Sequence, residues 1–129
     1  MDIVIDFDGT CVTHDYPAIG REIGATPVLR DLVDAGHRLI LFTIRSNNKK
    51  RNNHTLDDAI AWFRERDIPL FGIQTHPDQH NWTSSPKAYG DMYIDDAALG
   101  CPLIQPDTGE RPYVDWKTVR LLLTGKGLI

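Results

Sequence analysis

Two aspartates, Asp6 and Asp8, close the apolar run Ile3-Val4-Ile5 in the stretch MDIVIDFDGT. Side chains two residues apart on an extended chain leave the same face, so both carboxylates can address one ligand. Like charges at that spacing oppose each other's ionisation unless a cation or a shared proton relieves them, and a divalent metal is the simplest relief. Gly9 lets the backbone approach a ligand closely, and Thr10 adds a hydroxyl or amide donor. Further along, FTIRS presents the Thr43 hydroxyl and the Arg45 guanidinium, and YIDD presents Asp95 and Asp96, with Lys87 upstream. A carboxylate nucleophile, a hard cation held through oxygens and donors for phosphoryl oxygens are the parts of phosphoryl transfer.

Such groups act together only if the fold gathers them. Ile3 to Phe7, apolar but for Asp6, is a run of the kind that fills a central parallel strand. TPVLRDLVDAGH predicts a helix with Thr26 as N-cap, Pro27 at the first helical position and Gly36 as its stop. RLILFTI (38–44) predicts a second strand. TLDDAIAWFRERD predicts a second helix, with acids in its first turn and Arg64 and Arg66 in its last. LFGIQ (70–74) and DMYIDD (91–96) predict strands three and four, and PLIQ and RPYV flank Asp107-Thr108-Gly109 as a hairpin. A last helix runs from an Asp115 cap to Leu123. This alternation implies a parallel sheet with right-handed crossovers, and such sheets bind ligands outside the carboxyl ends of their strands. Asp6 and Asp8, Thr43 and Arg45, and Asp95 and Asp96 each stand at one such end.

Composition narrows the functional classes. The chain has 129 residues, 41% of them hydrophobic and 25% charged, enough for a single domain over 1–129 with one core. Its net charge of -4 argues against general polyanion binding but leaves room for a local basic patch. Arg45, Lys49, Lys50 and Arg51 form one, read either as a solvated face or as an attractor for an anionic leaving group. Cys11 and Cys101 form no CxxC pair, so a reduced cytoplasmic protein is expected. No apolar run approaches the ~20 residues that cross a bilayer.

DFDGT after strand one, FT after strand two, and a lysine followed by YIDD resemble, in order, the four motifs of the haloacid dehalogenase (HAD) superfamily, over residues 3 to 96. The resemblance implies a Rossmann-like three-layer α/β/α sandwich with a central parallel sheet in strand order 5-4-1-2-3. It also implies roles. Asp6 would be the nucleophile that forms an aspartyl-phosphate, and Asp8 the general acid and base. Gly9, Thr10, Thr43 and Lys87 would surround the phosphoryl group, and Arg45 the rest of the substrate. Magnesium would be held by Asp6, the backbone carbonyl of Asp8, and Asp95, with Asp96 as a further ligand or support. Asp8 favours a phosphatase over the dehalogenases, which lack that second carboxylate. The segments between Cys11 and Ala25 and between Thr75 and Pro86, where the family inserts caps, are too short for one. A capless enzyme acts on a phosphorylated small molecule or polymer end, or borrows a lid from a second subunit, so a dimer or tetramer is expected.

Two other readings differ in class. A receiver-like phosphoacceptor uses similar parts, but places its acceptor aspartate after strand three, where this chain has GIQTH. A non-catalytic phosphate-binding module would be expected to have lost a motif position. His76 and His80 with Cys11 and Cys101 invite a zinc site, but need ligands from three separate segments. His14 and Tyr16 are candidates for a small flap over the site.

Overall fold

The computed structural model describes residues 1–129. Its centre is the buried strand β1 (Asp2–Ile5), flanked by β2 (Arg38–Leu41) and by a later strand, Met92–Ile94, both parallel to it. Ile5 stands level with Leu41 on one side and Ile94 on the other, so the residues after these three positions emerge at one edge of the sheet. Between β1 and β2 lies helix α1 (Ala25–Asp34). Beyond β2, Asn47–Asn48 (β3) and Asn53–His54 (β4) form a small antiparallel hairpin over the turn Lys49–Arg51. Helix α2 (Thr55–Glu65) and strand β5 (Gly72–Ile73) follow, and Met92–Ile94 is β6. The sheet is β5-β2-β1-β6, four strands and all parallel. Leu103–Ile104 (β7) and Tyr113–Val114 (β8) lead to α3 (Trp116–Gly125).

Two expectations of the layered arrangement change. The sheet lacks the fifth strand of the order 5-4-1-2-3, because β7 and β8 pair antiparallel with each other as a separate ribbon. The helices share one face. Ile3, Ile5, Leu39 and Leu41 belong to a single core of 20 buried residues with Leu29 of α1, Phe63 of α2 and Val119 of α3, whereas Val4 and Ile40 point the other way, to Ala88, Phe42 and Phe71. The return from β5 to β6 would have to supply a helix for that second face. It contains Pro77 and Pro86 among polar residues, which leaves it only the single turn Gln79–Asn81.

Gln79 substitutes for regular structure there. Its buried amide oxygen accepts from the backbone N–H of His76 and of Tyr89, and its amide nitrogen donates to the carbonyls of Ser85 and Lys87. One side chain thus satisfies four backbone groups that an irregular segment would otherwise bury unpaired. His76 packs edge-on against Phe71 and Tyr89, its Nε2 2.9 Å from Asp2 Oδ2, while its Nδ1 accepts from the N–H of Asp78. Both ring nitrogens are therefore engaged, and His80 binds the Pro77 carbonyl.

Helix α1 starts earlier than its sequence suggests. Its N-cap is Gly24, at φ +95°, and Thr26 lies inside the first turn with its hydroxyl donating to Glu22. The end is as expected from Gly36, whose φ of +94° lets its N–H and that of His37 turn back to Val33 and Leu32. Asp115 caps α3, accepting from the N–H and hydroxyl of Thr118.

Candidate active site

The loop after β1 is held from several sides. Asp6 continues the sheet, its N–H donating to the Ile94 carbonyl. The Trp116 indole donates to the Thr10 carbonyl at 2.7 Å, the N–H of Val114 to that of Gly9, and the Cys11 thiol to that of Asp6. Ribbon and α3 thereby fix a loop that β1 alone would leave free.

Gly9 and Thr10 face the acids rather than an open phosphate site. Gly9 has φ +79°, and a Cβ on it would come within 2.0 Å of His14 Nε2 and 2.6 Å of Asp96 Oδ2. Glycine is needed because the His14–Asp96 contact, 2.8 Å long, passes directly over it, and its own N–H is spent on Val12. Thr10 is fully buried. Its hydroxyl donates to Asp6 Oδ2 at 2.7 Å, lies 3.2 Å from Asp96 Oδ1 and accepts the N–H of Asp96. Of the two residues expected to bind phosphate, Thr10 bridges Asp6 and Asp96, and Gly9 leaves room for the His14–Asp96 contact.

Carboxylate oxygens of Asp6, Asp95 and Asp96 all lie within 4.8 Å of one another. Burial pushes the Asp6 carboxyl up to about 8, Asp95 and Asp96 add to the rise, and the Thr10 hydroxyl opposes it. Asp8 stands apart from this trio. Both its oxygens accept from Arg45, at 2.8 Å from Nε and 2.7 Å from Nη2.

Arg45 does not reach outward to a substrate. Its side chain is fully buried, and beyond Asp8 its Nη groups donate to the carbonyls of Pro17, Ala18 and Thr55. A guanidinium has five N–H donors, and all five are taken. Arg45 orients Asp8 and ties the flap to the start of α2. Thr43 stays at the site. The side chain of Gln74, a residue without a signal in the sequence, accepts the N–H of Thr43 and donates to the carbonyls of Thr43 and Arg45. The Thr43 oxygen accepts from the N–H of Arg45, so its own hydrogen remains for a ligand.

A cleft of about 720 Å³ opens over these groups, lined by Asp6, Asp8, Thr43, Asp95 and Asp96 together with His14, Tyr16, Phe42, Ile44, Ala97 and Arg111. Lys87 is outside this lining. Its ammonium lies 5.9 Å from the centre of the Tyr93 ring, which packs edge-on against Phe42. Arg111, from the ribbon, is the arginine that does line it, and its guanidinium has no hydrogen bond or ion pair. Nothing in the sequence marked Arg111, since it lies beyond every motif and is brought in by the β7–β8 turn.

No family model and no curated protein matches the chain. A solved structure described as that of a conserved protein from Bacteroides thetaiotaomicron is similar to it, with a TM-score of 0.75 and 34% identity over 98% of this chain and 91% of that one. With that identity running through nearly the whole of both chains, this protein belongs to the family of the Bacteroides conserved protein.

Proposed function

We propose that the protein is a magnesium-dependent phosphohydrolase of the HAD type, without a cap, that cleaves a phosphomonoester through an aspartyl-phosphate on Asp6. The observation that carries this reading is the meeting of Asp6, Asp8, Thr43, Asp95 and Asp96, from three different strand ends, in one cleft. The donor set fits a hard divalent cation. Three anionic oxygens lie close enough to share one ion, in surroundings that otherwise drive Asp6 to keep a proton. Asp6, Asp95 and Asp96 would hold magnesium, with the Asp8 carbonyl added by the resemblance. When bound, the ion offsets negative charge on the phosphoryl oxygens.

The chain's own groups do the rest. An Asp6 oxygen attacks phosphorus, the bond from phosphorus to the leaving oxygen breaks, and that oxygen takes a proton from Asp8. Water then attacks the aspartyl-phosphate and gives its proton to Asp8, releasing inorganic phosphate and restoring the Asp6 carboxylate. Each Asp8 oxygen spends one lone pair on Arg45 and keeps another for that proton. The Thr43 hydroxyl and the unpaired Arg111 line the cleft as donors for phosphoryl oxygens, a part that Lys87, outside the lining, does not take. Such an enzyme fits a reduced, cytoplasmic setting.

Phosphate release from sugar phosphates, nucleotides and phosphorylated oligonucleotides, with and without magnesium, tests the reading. Release should require magnesium and vanish in Asp6→Asn with the circular dichroism spectrum unchanged. Stoichiometric phosphorylation of the protein without turnover would support the receiver-like alternative, and near-normal turnover in Asp6→Asn would overturn the nucleophile.

A further inference from the structure

Tyr16 belongs to two openings at once. It lines the acid cleft, and it lines an adjoining groove of about 470 Å³ with Pro17, Asn52, Asn53, His54, Thr55 and Asp58. Tyr16 is 54% exposed, and its hydroxyl has no hydrogen-bond partner. Behind it stands the Arg45 guanidinium, 5.3 Å from the ring centre and immobilised by its five acceptors. An exposed tyrosine backed by a fixed buried cation is a rigid platform where the cleft and the groove meet. Ile44, 93% exposed, lines the same cleft as an apolar wall.

The groove beyond Tyr16 offers directional polar groups. Asn52 accepts from His54 and Asn53 from the N–H of Thr55 through their side-chain oxygens, which leaves both amide NH₂ groups free. Asp58 adds an acceptor. Donors and acceptors set beside an aromatic face suit a heterocycle, whose flat surface stacks while its edge hydrogen-bonds. At the hairpin tip Lys49, Lys50 and Arg51 carry no ion pair, so anions entering from this side meet positive charge before they meet the carboxylates.

We infer that the leaving group is a nucleoside: its phosphate occupies the acid cleft, its base stacks on Tyr16, and the base edge meets Asn52, Asn53 and Asp58. This rests on the phosphohydrolase reading and deepens it by naming the substrate class. A free nucleotide and the phosphorylated end of a single strand share this chemistry, and the hairpin cations separate them.

The test uses binding, so that it stands apart from turnover. Calorimetry on the full chain with magnesium compares a nucleoside 5′-phosphonate with a sugar phosphonate, neither of which can lose its phosphorus group. The nucleoside compound should bind more tightly. Tyr16→Ala should weaken it by about five-fold or more, as loss of base stacking does, and Tyr16→Phe should bind as wild type. Equal affinity for the two phosphonates, or a Tyr16→Ala variant that binds the nucleoside compound as wild type does, overturns the inference even if phosphatase activity is found. In a second arm, a single strand carrying a 5′-phosphonate that binds more tightly than the nucleoside 5′-phosphonate, with the gain lost at high salt and in the Lys49→Gln, Lys50→Gln, Arg51→Gln triple variant, identifies a strand end. No such gain identifies the free nucleotide.

Discussion

Asp8 and Arg45 show how far a residue's chemistry depends on where its chain turns. Thr43 and Arg45 are two apart, and an extended strand would send both to the mouth of the site. The strand ends at Leu41, Gln74 clamps the following backbone, and Arg45 turns inward to Asp8. The types of both residues were legible in the sequence; the direction of Arg45 was not, because it is set by a side chain 29 residues away. Replacing Arg45 with methionine strands a carboxylate and three carbonyls, so we expect a loss of about 3–5 kcal/mol, as for breaking a buried ion pair, read from denaturant unfolding. A second expectation concerns pH. With Asp6 raised to about 8, the metal-free folded state keeps a proton that the unfolded chain gives up near the ordinary carboxylate value. Stability should therefore be fully present below that value, decline as pH rises towards about 8, and level off above it. Thermal unfolding across this range should show the decline in the metal-free protein and a weaker one in Asp6→Asn; an unchanged slope in the variant would contradict it.

Among the elements, the helices and strands with strong apolar periodicity were readable, whereas the parts that depend on distant partners were not. Helix α3 and its Asp115 cap follow from local sequence, but nothing local says that Trp116 supports the Thr10 carbonyl. The start of α1 misled because Thr26 before Pro27 has the form of a cap, while Gly24, free to adopt positive φ, lets the helix begin sooner. The two threonine and aspartate sites thus separate by mutation. Asp115→Ala should cost about 0.5–2 kcal/mol, the usual loss of an N-cap, and Thr26→Ala clearly less, by thermal or denaturant unfolding. Equal losses would return Thr26 to the role its sequence suggested.

In the whole molecule, one face of the sheet carries all three helices and the other an irregular cover, and this asymmetry decides what surrounds the cleft. The cover segment, 75–90, lies against Val4 and Ile40, and none of its residues lines the cleft, so the short flap with His14 and Tyr16 is what stands over the acids. No helix is long and apolar enough to cross a membrane. Excluding water from a reacting phosphoryl group strengthens the charge interactions around it, and a second subunit is one way to do so. We expect self-association in light scattering at micromolar concentration; a strict monomer that hydrolyses small phosphoesters efficiently would contradict the subunit lid. In the proposed reaction the phosphoryl group passes through Asp6. The most direct measurement is mass spectrometry of peptides after rapid acid quenching of the magnesium-loaded protein with substrate. A phosphoryl group is expected on the peptide containing Asp6 and absent in Asp6→Asn; efficient turnover with no phosphorylated peptide, or with the label on another residue, would overturn Asp6 as the nucleophile.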